Sequence, residues 1–431
     1  MTPGLPIAAL TAAMAAASVS AETITVCAKG CDFTSINAAI AAASDGDAIQ
    51  LRAGTYSEGV VIDTLGRRIS IVGVADRSGI PRTILDGGDV HGILQCIRGE
   101  GEETIFENLV IRNGSAPAGA GMYNEGSSPT LTNCTFTGNS SASGGGGMSN
   151  RSSSPTLVGC MFEGNSSVTA GAMSNFNQSS PVLVECVFRD NTAGVAGAMS
   201  NILSCSPTMT GCSFTGNSSE DFCGVMFNLD RCNPALIGCT FEDNSADGSG
   251  GVMVNSENSN PSLTDCTFAR NSGTRGGGIF NSQSSPVLND CEFIMNSATF
   301  GGGMYNNESA PCLDTCTFTG NSAFDGGGGG MYNDNKSNPT LNASLLCDNG
   351  PNQISGPFTN IDSCITESCR DCDFGNQCPG DLNDDEAVDA ADLEILLARM
   401  GSSDEQADLD RDGEVGGADL GLLSAAWGPC R

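Results

Sequence analysis

Residues 121–139 read Gly121-Met-Tyr-Asn124-Glu-Gly-Ser-Ser-Pro129-Thr-Leu-Thr-Asn-Cys134-Thr-Phe136-Thr-Gly-Asn139, and this stretch decides the fold. It carries two signatures. The first is a run of small residues, then Met or Ile, any residue, and Asn. It ends at Asn124, Asn150, Asn175, Asn201, Asn228, Asn255, Asn281, Asn306 and Asn333. The second is Cys-x-Phe-x-x-Asn, starting at Cys134, Cys160, Cys186, Cys212, Cys239, Cys266, Cys291 and Cys316. A degenerate ninth copy has Ser344, Leu346 and Asn349 at those positions. A turn proline separates the two, at Pro129, Pro155, Pro181, Pro207, Pro234, Pro261, Pro286, Pro311 and Pro339. Residues 119–349 are therefore nine copies of one 25–27-residue unit, the mark of a solenoid.

The unit predicts strands. Pro and Gly-Gly interrupt every copy, so no 3.6-residue apolar face survives. In the first copy the extended segments are Gly121–Asn124, Thr130–Thr132 and Cys134–Thr137. Alternation turns Met122, Leu131, Cys134 and Phe136 inward and Thr132 and Thr135 outward. The change of phase between Leu131 and Cys134 requires a bend near Asn133. Three strands and three bends make one coil of a right-handed parallel β-helix. About 12 coils at about 4.8 Å spacing give a rod of roughly 60 Å.

In-register stacking puts like on like, so the cysteines, the phenylalanines and the Met-x-Asn asparagines each form a ladder. Asparagine ladders pass amide hydrogen bonds from rung to rung. The cysteine ladder reads as buried free thiols filling space, with metal binding or disulfides as the competing reading. Cys205 and Cys232 sit two residues before the turn proline in adjacent copies, where an outer cross-rung disulfide is the expectation.

Gly301-Gly-Gly-Met304 with Phe318-Thr-Gly-Asn321 resembles the repeats of polymorphic outer-membrane proteins, over about 230 residues. That resemblance implies a β-helix with surface or adhesion roles. Upstream, Phe33 to Ala43 predicts a short amphipathic helix plugging the open end of the stack. Strands follow at Ala48–Arg52, Gly59–Ile62 and Ile69–Val72. Gly46-Asp-Ala-Ile49 and Gly54-Thr-Tyr56-Ser-Glu58 resemble the opening of pectin esterases and other pectin-lyase-like proteins, and imply that fold for residues 22–118. Cys27 and Cys31 are expected to pair.

Composition fits a thin core lined by small side chains, with 57 glycines and 5% aromatics. A net charge of −32 argues against nucleic-acid binding. The Ala-rich run ending Val19-Ser20-Ala21 reads as a secretory signal cut after Ala21, so residues 1–21 are leader and the mature protein is expected to be extracellular or at the cell surface. No later run is apolar enough to span a bilayer, and nothing has the pattern of a membrane barrel.

No catalytic set emerges. The pectin-esterase signatures are missing, and Leu65-Gly-Arg-Arg68 stops short of one. The single histidine, His91, reads as structural. Seven arginines from Arg52 to Arg112 read as ion-pairing and solvating groups. The outward positions Thr137, Glu163, Arg189, Thr215 and Glu242 vary, and Glu163 with Arg189 suggests a cross-rung ion pair.

Composition shifts after Asn349. Cys364, Cys369, Cys372 and Cys378 mark residues 350–378 as a disulfide-tied linker, with a zinc site as the lesser reading. Residues 379–431 then carry two acidic loops, each leading into a Leu-rich helix. The first offers Asp381, Asn383, Asp385, the Ala387 carbonyl, Asp389 and Asp392. The second offers Asp408, Asp410, Asp412, the Glu414 carbonyl and Asp419, with Gly416 at the ninth position. Oxygens at positions 1, 3, 5, 7, 9 and 12 suit calcium. The bland alternative is two acidic turns capping helices. The tandem resembles a type I dockerin, which implies calcium as the bound ion and a cohesin-like partner. Positions 10 and 11 are Ala390-Ala391 and Gly417-Ala418, small residues rather than the family's hydroxyl pair, so another surface protein is an equal expectation. Cys378 and Cys430 are placed to clasp the module, adding about 4 kcal/mol in the chain-entropy account.

The expectation is a secreted, non-catalytic β-helix that presents a strand face to protein or polysaccharide and is attached through a calcium module. The alternative is a polysaccharide-degrading β-helix enzyme of the uronate lyase, glycoside hydrolase or pectin esterase class carrying a dockerin.

Overall fold

The computed structural model describes residues 21–325 and 327–369, and of the remainder 380, 382, 383, 385, 387–402, 404, 407, 409, 415–425 and 427–429. Its main body is a parallel β-solenoid. The strand Thr130–Thr132 belongs to a 14-stranded sheet, Thr135–Thr137 to a 13-stranded sheet, and Met122–Glu125 to a 12-stranded sheet. We call these the leucine, phenylalanine and methionine sheets after their inward residues. The stack has about 13 turns, close to the 12 expected.

Pairing is in register throughout. Leu131 lies opposite Leu157, Phe136 opposite Phe162, and Asn150 opposite Asn175. Met122, Leu131, Cys134 and Phe136 are fully buried, as alternation requires. The bend sits at Asn133, whose φ of 49° is left-handed, and the same position in later coils is also left-handed, as at Gly159 (59°) and Asp265 (54°). This region favours Gly, Asn and Asp, the residues found there most often.

The first eight repeats each hold four strands rather than three. Ser140–Ser141 and its equivalents form a further nine-stranded sheet, the serine sheet. Apart from Ser272–Arg275 and Ser297–Phe300 these strands are two hydroxyl or small residues long, which carry no alternation of hydropathy, so the sheet left no periodic signal. The glycine runs lie at the corner leading back to the methionine sheet. There the coils approach closely: a Cβ on Gly278 would sit 2.7 Å from the Gly303 carbonyl and 2.8 Å from the Phe293 ring.

The ladders hold the interior. Eight phenylalanine rings from Phe136 to Phe318 stack with centroids 4.3–5.0 Å apart. Asn124 Nδ2 donates to Asn150 Oδ1 at 2.9 Å, and the chain of amides runs on to Asn333, which donates to the Pro357 carbonyl. A second asparagine ladder runs from Asn139 to Asn349 and ends on Gln353 Oε1. The thiols of the cysteine ladder are free and buried and point at carbonyls of the preceding coil, as Cys160 does at Leu131 (3.6 Å). Burial pushes the Cys160 thiol well above its usual pKa.

Cys205 and Cys232 correct the expectation of an outer disulfide. Both are free and fully buried. They replace serines in an inward ladder beside the turn prolines, where each main-chain N–H reaches the next side chain: Ser179 N to Cys205 Sγ, Cys205 N to Cys232 Sγ, and Cys232 N to Ser259 Oγ.

Helix α1 spans Ile36–Ala42, shorter than the expected segment, and buries Ile36, Ala39 and Ile40 at the end of the stack. Ser35 caps it, and Glu58 accepts from Ser35 Oγ and Ile36 N. Cys27 and Cys31 are paired. At the other end the stack runs beyond Asn349. The strands Ile354–Ser355, Thr359–Ile361 and Cys364–Ile365 add to three sheets, and a Cys347–Cys369 disulfide ties the segment down. That bond takes Cys369 out of any zinc site.

In the C-terminal segment, helices α2 (Ala390–Ala398) and α3 (Gly417–Ala425) pack around Val388, Leu396, Ala407, Val415 and Leu423. Ala387–Val388 pairs antiparallel with Gly428–Pro429. Among the described residues no helix is long and apolar enough to cross a membrane.

Candidate functional site: an axial groove on the methionine sheet

The middle residue of Met-x-Asn points outward. In the early coils it is Tyr123, Ser149, Ser174 and Ser200; from the fifth it becomes Phe227, Val254, Phe280, Tyr305 and Tyr332. The ends of the serine-sheet strands and the chain leading from them to the methionine sheet overhang this row. Its residues Phe222, Ser249, Arg275 and Phe300 precede the paired corner positions of successive coils and form a wall parallel to the row. On the other side lie Leu229, Ser256, Ser282 and Asn307, the last residues of the strands.

Floor and walls enclose a groove of about 550 Å³ along the rod axis, spanning the four coils from Phe227 to Tyr305. Beneath it Ala196, Cys223, Val254 and Phe280 form a small apolar cluster separate from the solenoid core, with Phe227 and Tyr305 packed against it. Phe280 meets Tyr305 edge-on at 5.4 Å, and Tyr305 stacks on Tyr332 at 4.8 Å. The Arg275 guanidinium lies 5.9 Å from the Phe280 ring centre. Phe222 remains 45% exposed at the rim. Burial raises the pKa of the Tyr305 phenol, which stays protonated at neutral pH. The groove thus combines aromatic walls with hydroxyl, amide and single charged groups, a mixture suited to binding. The early serine copies and later aromatic copies at one position were the signal of it in the sequence; the overhanging wall, contributed from a different part of each repeat, left none.

The residues weighed for catalysis stand apart from this groove. His91 lies near the other end, its Nδ1 2.8 Å from the Gly92 carbonyl, in a recess lined by Val61, Leu94 and Tyr123. Four of the seven N-terminal arginines form ion pairs: Arg68 with Asp45 and Glu103, Arg82 with Asp76, Arg98 with Asp63, and Arg112 with Asp86. Arg189 Nε donates to Glu163 Oε1 at 3.1 Å, making the expected cross-rung pair, and such exposed pairs add little stability. Among the described residues, one group of three metal-ligating side chains converges, Cys347, Asp348 and Cys369, and its two sulfurs are spent in the disulfide.

In the C-terminal segment, Asp392 is fully buried at the twelfth position of the first loop. Its Oδ1 accepts from Leu382 N (2.7 Å) and Asn383 N (3.2 Å), and its Oδ2 from Asp389 N (2.8 Å), so one carboxylate ties both ends of the loop. Asp419 repeats this, accepting from Leu409 N and Gly416 N. Asn383 Oδ1 accepts from Asp385 N, and Asp385 Oδ1 from Ala387 N, two side-chain turns that curl the chain. Asp381, Asp408, Asp410, Asp412 and Glu414, with Cys372, Cys378 and Cys430, lie outside the described residues, and so does the expected clasp.

Residues 82–230 and 220–346 match the family model described as a right handed beta helix region. Similar solved structures include pectate lyase Pel9A, 12% identical, with 81% of this chain and 80% of that one covered and a TM-score of 0.35. Another is the catalytic domain of a GH87 α-1,3-glucanase in complex with nigerose, 11% identical over 80% and 68% with a TM-score of 0.41. A third is the pectin methylesterase from carrot, 10% identical over 62% and 81% with a TM-score of 0.34. No curated protein matches the chain in sequence.

Proposed function

The chain belongs to the right-handed beta helix family, and on that premise we propose that it is a secreted, non-catalytic polysaccharide-binding rod, held to a partner by a calcium-dependent C-terminal module. The observation that carries the binding half is the axial groove, whose floor of Phe227, Val254, Phe280 and Tyr305 runs across successive coils without, among the described residues, a converging set of acids. β-Helix hydrolysis of a glycan needs paired carboxylates at the scissile bond, one to protonate and one to activate water or attack. Glu257 is the carboxylate of this groove.

The attachment half rests on the loops. A set of carboxylate, amide and carbonyl oxygens on a curled chain suits a hard divalent cation. Asp381, Asn383, Asp385, the Ala387 carbonyl, Asp389 and Asp392 would hold one calcium ion. Asp408, Asp410, Asp412, the Glu414 carbonyl and Asp419 would hold the second. Bound calcium neutralises the loop carboxylates and fixes the entry to α2 and α3. The chain's own contribution is the pair of buried carboxylates, Asp392 and Asp419, which close the loops on their main-chain N–H groups. The partner is a cohesin-like or other surface protein that reads the faces of those helices.

The test is incubation of the full chain, with and without calcium, with a panel of neutral and uronate polysaccharides, following both retention and release of reducing or unsaturated ends. Retention without product is expected. Product release abolished by an outward Asp or Arg substitution would replace this reading with the polysaccharide-degrading enzyme.

A further inference from the structure

We propose that the groove takes one linear, uncharged polysaccharide chain lying parallel to the rod axis; this deepens the polysaccharide-binding reading and rests on it. Direction comes from the rows. Wall, floor and opposite wall each contribute one residue per coil, so the groove repeats with the coil and is open along the axis. Four coils at about 4.8 Å make a track of about 15–20 Å. One extended pyranose unit advances by nearly one coil spacing, so a linear glycan meets equivalent surroundings at each residue.

The chemistry selects a sugar. A pyranose presents apolar C–H faces and a belt of hydroxyls. Phe222, Phe227 and Tyr305 meet the first, while Ser256, Ser282 and Asn307 meet the second. A peptide that binds by adding a strand needs a free strand edge. The methionine-sheet strands here spend their main-chain groups on the coils above and below. An acyl chain would leave the hydroxyl and amide wall without partners.

Charge selects the class of sugar. The chain carries −32 overall, and Glu257 lies in the groove itself. The groove's one cation is Arg275, its guanidinium already set against the Phe280 ring. A polyuronate would meet the overall negative charge of the chain and the Glu257 carboxylate, with Arg275 as the one cation among the described groove residues to offset them.

The experiment is affinity electrophoresis of the full chain through gels containing a soluble β-glucan, a galactomannan, a xylan or polygalacturonate, at matched ionic strength. At least one neutral polymer should retard the chain more than polygalacturonate does. Tyr305→Ala and Phe227→Ala should each weaken that retardation at least 10-fold. Ser256→Trp, which fills the groove without opening the apolar cluster, should do the same. Thr264→Ala, on the leucine sheet, should leave it unchanged, and circular dichroism confirms that each variant is folded. Preference for polygalacturonate, or neutral binding unmoved by all three groove variants, overturns the inference and leaves the polysaccharide-binding reading standing. No retardation by any polymer overturns both.

Discussion

At the scale of single residues, buried polar groups hold the coils in register. Asn217 shows how. Its Oδ1 accepts from both the N–H and the Nδ2 of Asn191, and its Nδ2 donates to the Phe188 carbonyl and to Asn244 Oδ1. Asn217→Ala strands groups on both neighbouring coils, so a loss of about 3 kcal/mol in denaturant unfolding is expected. Glu100 does similar work nearer the N-terminus. It is 2% exposed and accepts from Thr64 Oγ1, Gly66 N, Arg98 N and Ser127 Oγ. Burial opposes the charge, but the hydrogen bonds from Thr64, Arg98 and Ser127 outweigh it and hold the carboxyl below its usual pKa. A folded pKa below the unfolded one gives stability that is complete above the unfolded value, about 4.3, and lost as pH falls through the folded value. Melting curves of Glu100→Gln should therefore lie below wild type at pH 7 and converge with it in acid. A constant gap down to pH 2 would show that the charge contributes nothing. The asparagine of Met-x-Asn was legible as a ladder because it recurs at a fixed offset. Glu100 was not, because it lies outside the repeat and three of its four donors, Thr64, Gly66 and Ser127, come from distant positions.

At the scale of elements, alternation made the three main strands legible to within a residue or so. The serine sheet escaped because most of its strands are two residues long and show no period, and Cys205 and Cys232 misled because a position beside a turn proline reads as outward when it is inward. The loop–helix pairs are where the sequence says most about chemistry. Each twelfth-position carboxylate closes its loop before any cation is considered. Calcium titration of the full chain by calorimetry should show two sites, with Asp381→Ala plus Asp408→Ala abolishing uptake. Chelation should unfold the helices while the β-sheet circular dichroism persists. Unchanged calcium uptake in the double variant would show that the loops are acidic turns capping helices and nothing more.

At the scale of the whole molecule, one repeat serves two ends. Its inward positions are nearly invariant from coil to coil and supply stability by nearest-neighbour stacking. Its outward positions are free to drift, and on the methionine sheet they drift from serine to aromatic, which makes the groove. The Phe222, Ser249 and Arg275 wall was hidden from the sequence because each residue lies across a glycine corner from the row it faces. The most direct measurement is a crystal structure of the chain soaked with a neutral linear hexasaccharide of the class that retards it best. Density for consecutive sugars running along the axis over Phe227, Phe280 and Tyr305 is the expected result. Sugar bound on another face, or lying across the coils, would contradict the account.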